Sequence, residues 1–304
     1  MSSIPMLRQS RSLFLRGTSR VTDLHKRMMA LCAYDDEYLK ARFAGKVAIC
    51  TASTSGIGYA AAERIAREGA KVVICSRRQE KVDAAVKKLR DQNLEVSGIV
   101  CHQAKKEDRQ RLIDFTLRTY GGIDLLFASA GVSPFSGYML LVTEKQWDKL
   151  FEVNVKSTFL IIRECVPHMA ERGGGAIVSH STTAGVFPEA TRNLNMPYAV
   201  SKSAVIGLTK VLVEPLAQRN IRINCMAPGP IETSFLRRYI QQFVPGETGL
   251  PKQAYDENFM LRFGEPEECG SVVAFLLSED ASYMAGEIIP VCGGINLREM
   301  SKLL

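Results

Sequence analysis

Tyr198-Ala-Val-Ser-Lys202 sets a phenol and an ammonium four residues apart, 140 residues beyond a glycine-bearing turn at Thr51-Ala-Ser-Thr-Ser-Gly56-Ile-Gly58. On a helix, positions i and i+4 share one face, so both groups can address one small molecule. A free tyrosine, with a pKa of about 10, transfers protons poorly at neutral pH. A nearby ammonium favours the phenolate and should lower that value. Y-x-x-x-K alone occurs on many surface helices. Behind a nucleotide-binding turn it points to proton transfer beside a bound dinucleotide.

The turn has the right setting. An apolar run ending Ile49-Cys50-Thr51 enters the glycines and then a helical stretch. Glycines there let the backbone approach a pyrophosphate at a helix N-terminus. The hydroxyls of Ser53, Thr54 and Ser55 can add donors. In NAD-binding chains an acid about 20 residues on holds the ribose 2′-hydroxyl. Here the second strand closes Ile74-Cys75-Ser76-Arg77-Arg78. A carboxylate would repel a 2′-phosphate, whereas guanidinium groups bind it through charge-assisted hydrogen bonds. The pattern predicts NADP(H).

These residues need a scaffold, and the periodicity supplies one. Apolar runs predict strands at Lys46–Cys50, Lys71–Cys75, Val96–Cys101, Ile123–Phe127, Ala176–Val178, Ile221–Cys225 and Glu287–Val291. Helical spacing alternates with them at Ile57–Glu68, Glu80–Leu89, Glu107–Thr119 and a long Glu144–Glu171. Alternating β and α segments predict an α/β fold: one doubly wound parallel sheet with helices on both faces. Pro290 inside the last run suits an edge strand. Asn154 falls on the apolar face of the long helix. A buried amide needs partners, so it is either a satisfied structural polar group or part of the site.

Charge and cysteines narrow the class. The net charge is +7, but residues 1–31 hold Arg8, Arg11, Arg16, Arg20, Lys26 and Arg27 against Asp23 alone, leaving +2 for the rest. That placement argues against a nucleic-acid stripe. The arm is rich in serine and arginine, which fits either a mitochondrial transit peptide or a basic tail. Ser301-Lys-Leu-Leu304 misses a peroxisomal address by its last residue; a cytoplasmic location is the other alternative. No apolar run is long enough to span a membrane. The expected organisation is an arm over 1–43, one domain over 44–298 and a tail over 299–304. Eight singly spaced cysteines imply a reducing compartment. Four lone histidines suggest no metal.

The ordered motifs at Thr51–Gly58, Ser129-Ala130-Gly131, Asn154, Tyr198-x-x-x-Lys202 and Pro228-Gly229 resemble the short-chain dehydrogenase/reductase family over roughly Lys46 to Asn296. Ser-Arg-Arg-Gln at 76–79, Cys101-His102 and Gly-Glu-Pro-Glu at 264–267 look most like its NADPH-dependent carbonyl reductase/retinol dehydrogenase branch. The resemblance implies a Rossmann-type fold and reduction of an apolar ketone or aldehyde, with Tyr198 as general acid. Lys202 would hold the nicotinamide ribose and Asn154 a relay water. Ala52, Ser53, Thr54, Gly56, Ile57 and Gly58 would line the pyrophosphate, Ser129, Ala130 and Gly131 the adenosine, and Pro228, Gly229, Ile231 and Thr233 the nicotinamide end. A dimer or tetramer is also implied.

The chain departs from that pattern in three places. Alignment puts Thr182, preceded by Ser181, where the family has a catalytic serine. The stretch from Thr182 to Tyr198 is longer than usual. Pro215 falls inside the tyrosine helix, where it should kink the last turns. Two other readings stay open: an NAD(P)-linked alcohol or hydroxysteroid dehydrogenase, and a cofactor-binding protein with little catalysis. The segment Ser234–Leu261, with Phe235, Leu236, Tyr239, Ile240, Phe243 and Phe259, is expected to close an apolar substrate pocket or to pack a subunit contact.

Overall fold

Residues with unbroken apolar character form the strands. In the computed structural model, which describes residues 42–135, 137–188, 196–241 and 258–294, seven parallel strands make one sheet in the order β3-β2-β1-β4-β5-β6-β7. They are β1 Val47–Cys50, β2 Lys71–Ser76, β3 Val96–Val100, β4 Leu125–Ala128, β5 Gly175–His180, β6 Ile221–Pro228 and β7 Ile288–Val291. The chain is thus a single-domain, Rossmann-like α/β fold. Strand order reverses between β1 and β4, and in open α/β sheets the crevice beyond the strand ends at such a switch point takes the ligand.

Alternation along each strand divides the core between the two faces. Ala48, Cys50, Val72, Ile74, Phe127 and Val178 pack on one side, against α1 (Gly56–Arg67), α2 (Gln79–Arg90) and α10 (Pro266–Leu277). Ile49, Val73, Leu126, Ile177 and Ile223 pack on the other, against α3 (Lys106–Tyr120) and α5 (Ser157–Glu171). Pro290 sits in edge strand β7 opposite Ala227, where its missing N–H leaves no ladder bond broken.

Three boundaries differ from expectation, each in a way that bears on the site. β5 runs on to His180 and β6 to Pro228, because β5 pairs through His180↔Met226 and β6 through Pro228↔Val291. The long helix is α4 (Glu144–Phe151), a π-helical turn at Glu152–Lys156, then α5. Wide turns of this kind concentrate at functional sites, and this one carries Asn154. The tyrosine helix α7 (Met196–Val211) ends before a separate α8 (Val213–Ala217) containing Pro215. Proline cannot donate to the carbonyl four residues back, so the break falls one turn before it. Short α4 begins with a complete Thr143/Gln146 capping box, and a four-residue α6 (Thr183–Val186) follows β5.

Candidate active site

The C-terminal ends of β1, β2, β4, β5 and β6 open into one cavity of about 1040 Å³. Its floor begins at the glycine turn. Gly58 is required there, since a Cβ would stand 2.7 Å from Ala52 O. Ala52 itself holds a left-handed φ of 52°. Thr51 Oγ1 accepts from Ser129 N at 3.0 Å and Ala130 N at 3.3 Å, locking this turn to the loop after β4. The first turn of α1 has no side-chain cap, so its amides are available to an anion.

Of the residues expected around a dinucleotide, Ala52, Thr54, Gly56, Ile57, Gly58, Ser76, Arg77, Arg78, Ser129, Ala130, Gly131, Pro228, Gly229, Ile231 and Thr233 all line the cavity. Ser53 does not. It is fully buried, its hydroxyl bonds Cys50 O and its amide bonds Cys75 O at 3.1 Å. It therefore shapes the turn rather than offering a donor to the ligand. At the end of β2, Arg78 leans on Glu80 at 3.2 Å. Arg77 makes no ion pair among the described residues. Lys81, one helical turn on, joins them at the wall.

Tyr198 and Lys202 stand on one face of α7, with Lys202 Nζ 5.8 Å from the Tyr198 ring centroid. Lys202 is 2 % exposed, and its ammonium donates to His180 O at 2.6 Å. Burial pushes Lys202 down to about 8, opposed by the nearby Cys225. The same burial raises the Tyr198 phenol above its ordinary value. This reverses the direction expected from the i,i+4 spacing: desolvation of a phenolate between apolar walls outweighs the lysine at this range. Burial thus favours the neutral phenol of Tyr198, which carries a proton it could donate. Gly131 packs closely beside them: a Cβ there would meet Lys202 Nζ at 3.2 Å, so a larger residue would have to displace that ammonium slightly.

Asn154 is fully buried in the π turn. Its Oδ1 accepts from Val132 N at 2.8 Å, and its Nδ2 donates to Val132 O at 3.0 Å and Ser201 Oγ at 2.9 Å. The side chain thus clamps the loop after β4 to α7. The two candidate hydroxyls separate cleanly. Ser181 is fully buried and donates to Lys202 O at 2.8 Å. Thr182, still extended at φ −167°, turns the opposite way onto the cavity wall and donates to Pro228 O at 3.1 Å. Both residues line the cavity, and alternation past the end of β5 sends their hydroxyls to different partners.

Two histidines that sequence reasoning passed over also line this cavity. His180 Nδ1 lies 2.9 Å from Ser129 Oγ, and its ring stacks on Phe127 with centroids 5.8 Å apart. Burial and then Lys202 push it down to about 3, so it stays neutral. His102 is lowered by burial and by Lys149 and Arg77, and its Nδ1 is buried without a partner. Position at the C-terminal ends of β5 and β3 is the signal that could have found them. Of the segment expected to close the pocket, Phe235 and Leu236 line the cavity, and the Phe235 and Tyr198 rings lie 6.0 Å apart; Phe263, just beyond that segment, lines it too. Phe259 is exposed. Phe243, the side chains of Tyr239 and Ile240, the N-terminal arm, the C-terminal tail and most of the lengthened loop before Tyr198 lie outside the described residues.

Residues 51–296 match a family model described as "Enoyl-(Acyl carrier protein) reductase", and the chain belongs to the short-chain dehydrogenase/reductase family. It is 48% identical over 250 residues to "Dehydrogenase/reductase SDR family member 4" of Bos taurus, covering 82% of this chain and 86% of that protein. With the Homo sapiens protein of the same name, identity is 47% over 252 residues, or 83% and 87% of the two chains. "Dehydrogenase/reductase SDR family member 2, mitochondrial" of Homo sapiens is 44% identical over 84% of this chain and 88% of its own. Among solved structures, levodione reductase superposes with a TM-score of 0.78 at 30% identity, over 83% of this chain and 98% of that one. The chain is thus an oxidoreductase of a family that uses a nicotinamide cofactor. The bare α1 amides and the close backbone approach at Gly58 fit such a group.

Proposed function

We propose that this chain is an NADP(H)-dependent reductase of apolar ketones and aldehydes. One observation carries the reading: a single cavity joins the glycine turn, the basic end of β2 and the Tyr198–Lys202 pair. Arg77, Arg78 and Lys81 would hold a 2′-phosphate; among the described residues no carboxylate lines the cavity, the nearby Glu80 being paired with Arg78. Bound there, the reduced nicotinamide supplies a hydride to the carbonyl carbon. Tyr198, kept protonated by burial, donates its proton to the carbonyl oxygen. Thr182 orients that oxygen by exchanging its bond to Pro228 O for one to the substrate. Lys202, whose ammonium is bonded to His180 O, would hold the cofactor ribose, and Asn154 holds the loop that carries Gly131 against it. The reverse, alcohol-oxidising direction uses the same groups.

Consumption of NADPH by the purified full-length protein with a panel of diketones, aromatic ketones and retinal tests this reading, and no turnover of any of them would refute it. The engagement of Thr182 with Pro228 O favours one rival, a cofactor-binding protein with negligible catalysis. In that case NADPH would bind tightly without turnover, and Thr182→Ser would not restore any.

Two further assignments belong to the same proposal. The basic, serine-rich arm and the mitochondrial label of one relative support a mitochondrial location, which organelle fractionation of the full-length chain would check. A groove in which Phe151, Val155, Phe159 and Leu208 are flanked by Glu144, Lys145, Asp148, Lys149, Glu152 and Lys156 supports self-association of this face into a dimer or tetramer, to be read by light scattering.

A further inference from the structure

We propose that Arg238 selects substrates that carry an oxyanion, a carboxylate being the simplest, at the far end of an apolar body flanking the reacting carbonyl. The proposal deepens the reductase reading and rests on Tyr198 as the proton donor. α9 spans Ser234–Gln241, and on it Phe235 and Arg238 are three residues apart, hence on one face. Both line the cavity. Phe235 meets the Tyr198 ring at 6.0 Å, and the backbone of Arg238 lies three residues, about 4.5 Å of helix rise, further along α9, a spacing comparable to one aromatic ring.

The charges around the cavity sharpen the case. Arg77, Arg78, Lys81, Lys202 and Arg238 line it, and no carboxylate does so among the described residues. The first three cluster at the end of β2, where a 2′-phosphate would neutralise them. Lys202 is bonded to His180 O. The adjacent Arg237 is taken by Glu232, whereas Arg238 has no ion-pair partner among the described residues. A cleft whose walls carry one sign of charge concentrates the opposite sign. Phe187, Phe235, Leu236 and Val132 give the same cavity apolar lining, with Phe235 against the Tyr198 ring. A flat apolar carbonyl compound with an anionic end satisfies both parts. The competing assignment for Arg238 is the cofactor pyrophosphate, since Thr233 Cγ2, at the start of α9, would lie 3.2 Å from a Cβ on Gly56.

Two aldehydes of matched shape separate these assignments: 4-formylbenzoate and its methyl ester, with NADPH and the full-length chain. For Arg238→Gln the ratio of kcat/KM, carboxylate over ester, should fall about tenfold, an exposed charge-assisted contact being modest. The loss should appear in the KM of the carboxylate, with Arg238→Lys recovering most of it and the KM for NADPH barely moving. An unchanged ratio, or a raised KM for NADPH with equal loss of both aldehydes, would overturn the proposal. Should the wild-type chain reduce neither aldehyde, the reductase reading is judged on the wider carbonyl panel. Calorimetry of 4-(hydroxymethyl)benzoate against the chain with NADP+ then decides on Arg238. Binding that Arg238→Gln abolishes supports the anion site, and no binding, or binding indifferent to the change, overturns it.

Discussion

Lys202 should make stability and activity move in opposite directions over one window of pH. Its ammonium is buried, which pushes it down to about 8 from an ordinary value near 10.5. Below about pH 8 both the folded and the unfolded chain hold this proton. Between that point and the unfolded lysine value the unfolded chain binds more protons than the folded one, so stability rises with pH. Taking the two values, the gain between pH 7 and pH 9.5 is about 2 kcal/mol. Over the same interval the charged form that donates to His180 O and to a ribose disappears, and turnover should fall about tenfold per pH unit above pH 8. The assay is urea denaturation at several pH values for the wild-type chain and Lys202→Met, with NADPH-linked rates measured in parallel. The difference between the two stability curves should climb by about 2 kcal/mol toward pH 9.5. Parallel curves would show that Lys202 keeps its proton in the folded state and that its burial has been misread. An activity loss without the stability gain would move the titration to another group.

Replacing Arg77 with aspartate should weaken NADPH by about 1.5–3 kcal/mol, as measured by fluorescence titration, and affect NADH much less; equal losses would mean Arg77 does not touch the 2′-phosphate. Thr182→Ala should cost about a hundredfold in kcat, since Thr182 faces the cavity. Ser181→Ala should instead lower the melting temperature with a modest rate loss, because its hydroxyl is bonded to Lys202 O. Arg109 is 2 % exposed, bonds Glu164 through two nitrogens at 2.8 and 2.9 Å and holds Gln103 O at 2.9 Å. Arg109→Leu should therefore destabilise the fold by about 3 kcal/mol in urea titration by stranding a largely buried carboxylate.

The parallel sheet was legible because nearly every strand is apolar on both faces, and the glycine turn because Gly56 and Gly58 follow such a strand directly. Tyr198 and Lys202 were legible through their spacing on a helix. What the spacing could not carry was solvation. The direction of the Tyr198 shift depends on walls supplied by Phe235 on another element. Ser53 looked like a ligand donor in sequence, and only the closeness of Cys50 O makes it structural. In sequence, His102 marks only the family branch and His180 only a count, and neither is assigned to the site, because their place at strand ends emerges from the register of β5 and β3. The choice between Ser181 and Thr182 turns on where alternation stops: β5 runs on to His180, which sends the Ser181 hydroxyl to Lys202 O and the Thr182 hydroxyl to Pro228 O, and the role proposed above goes to Thr182.

The most direct test of the account compares wild-type protein with Tyr198→Phe, measuring NADPH affinity and carbonyl-dependent loss of reduced-nicotinamide absorbance on the same samples. The account predicts turnover with NADPH in the wild-type chain, with NADH much poorer, and a loss of about a hundredfold or more in the variant while NADPH affinity stays within about twofold. Undiminished turnover in Tyr198→Phe would contradict the assignment of this phenol as the proton donor.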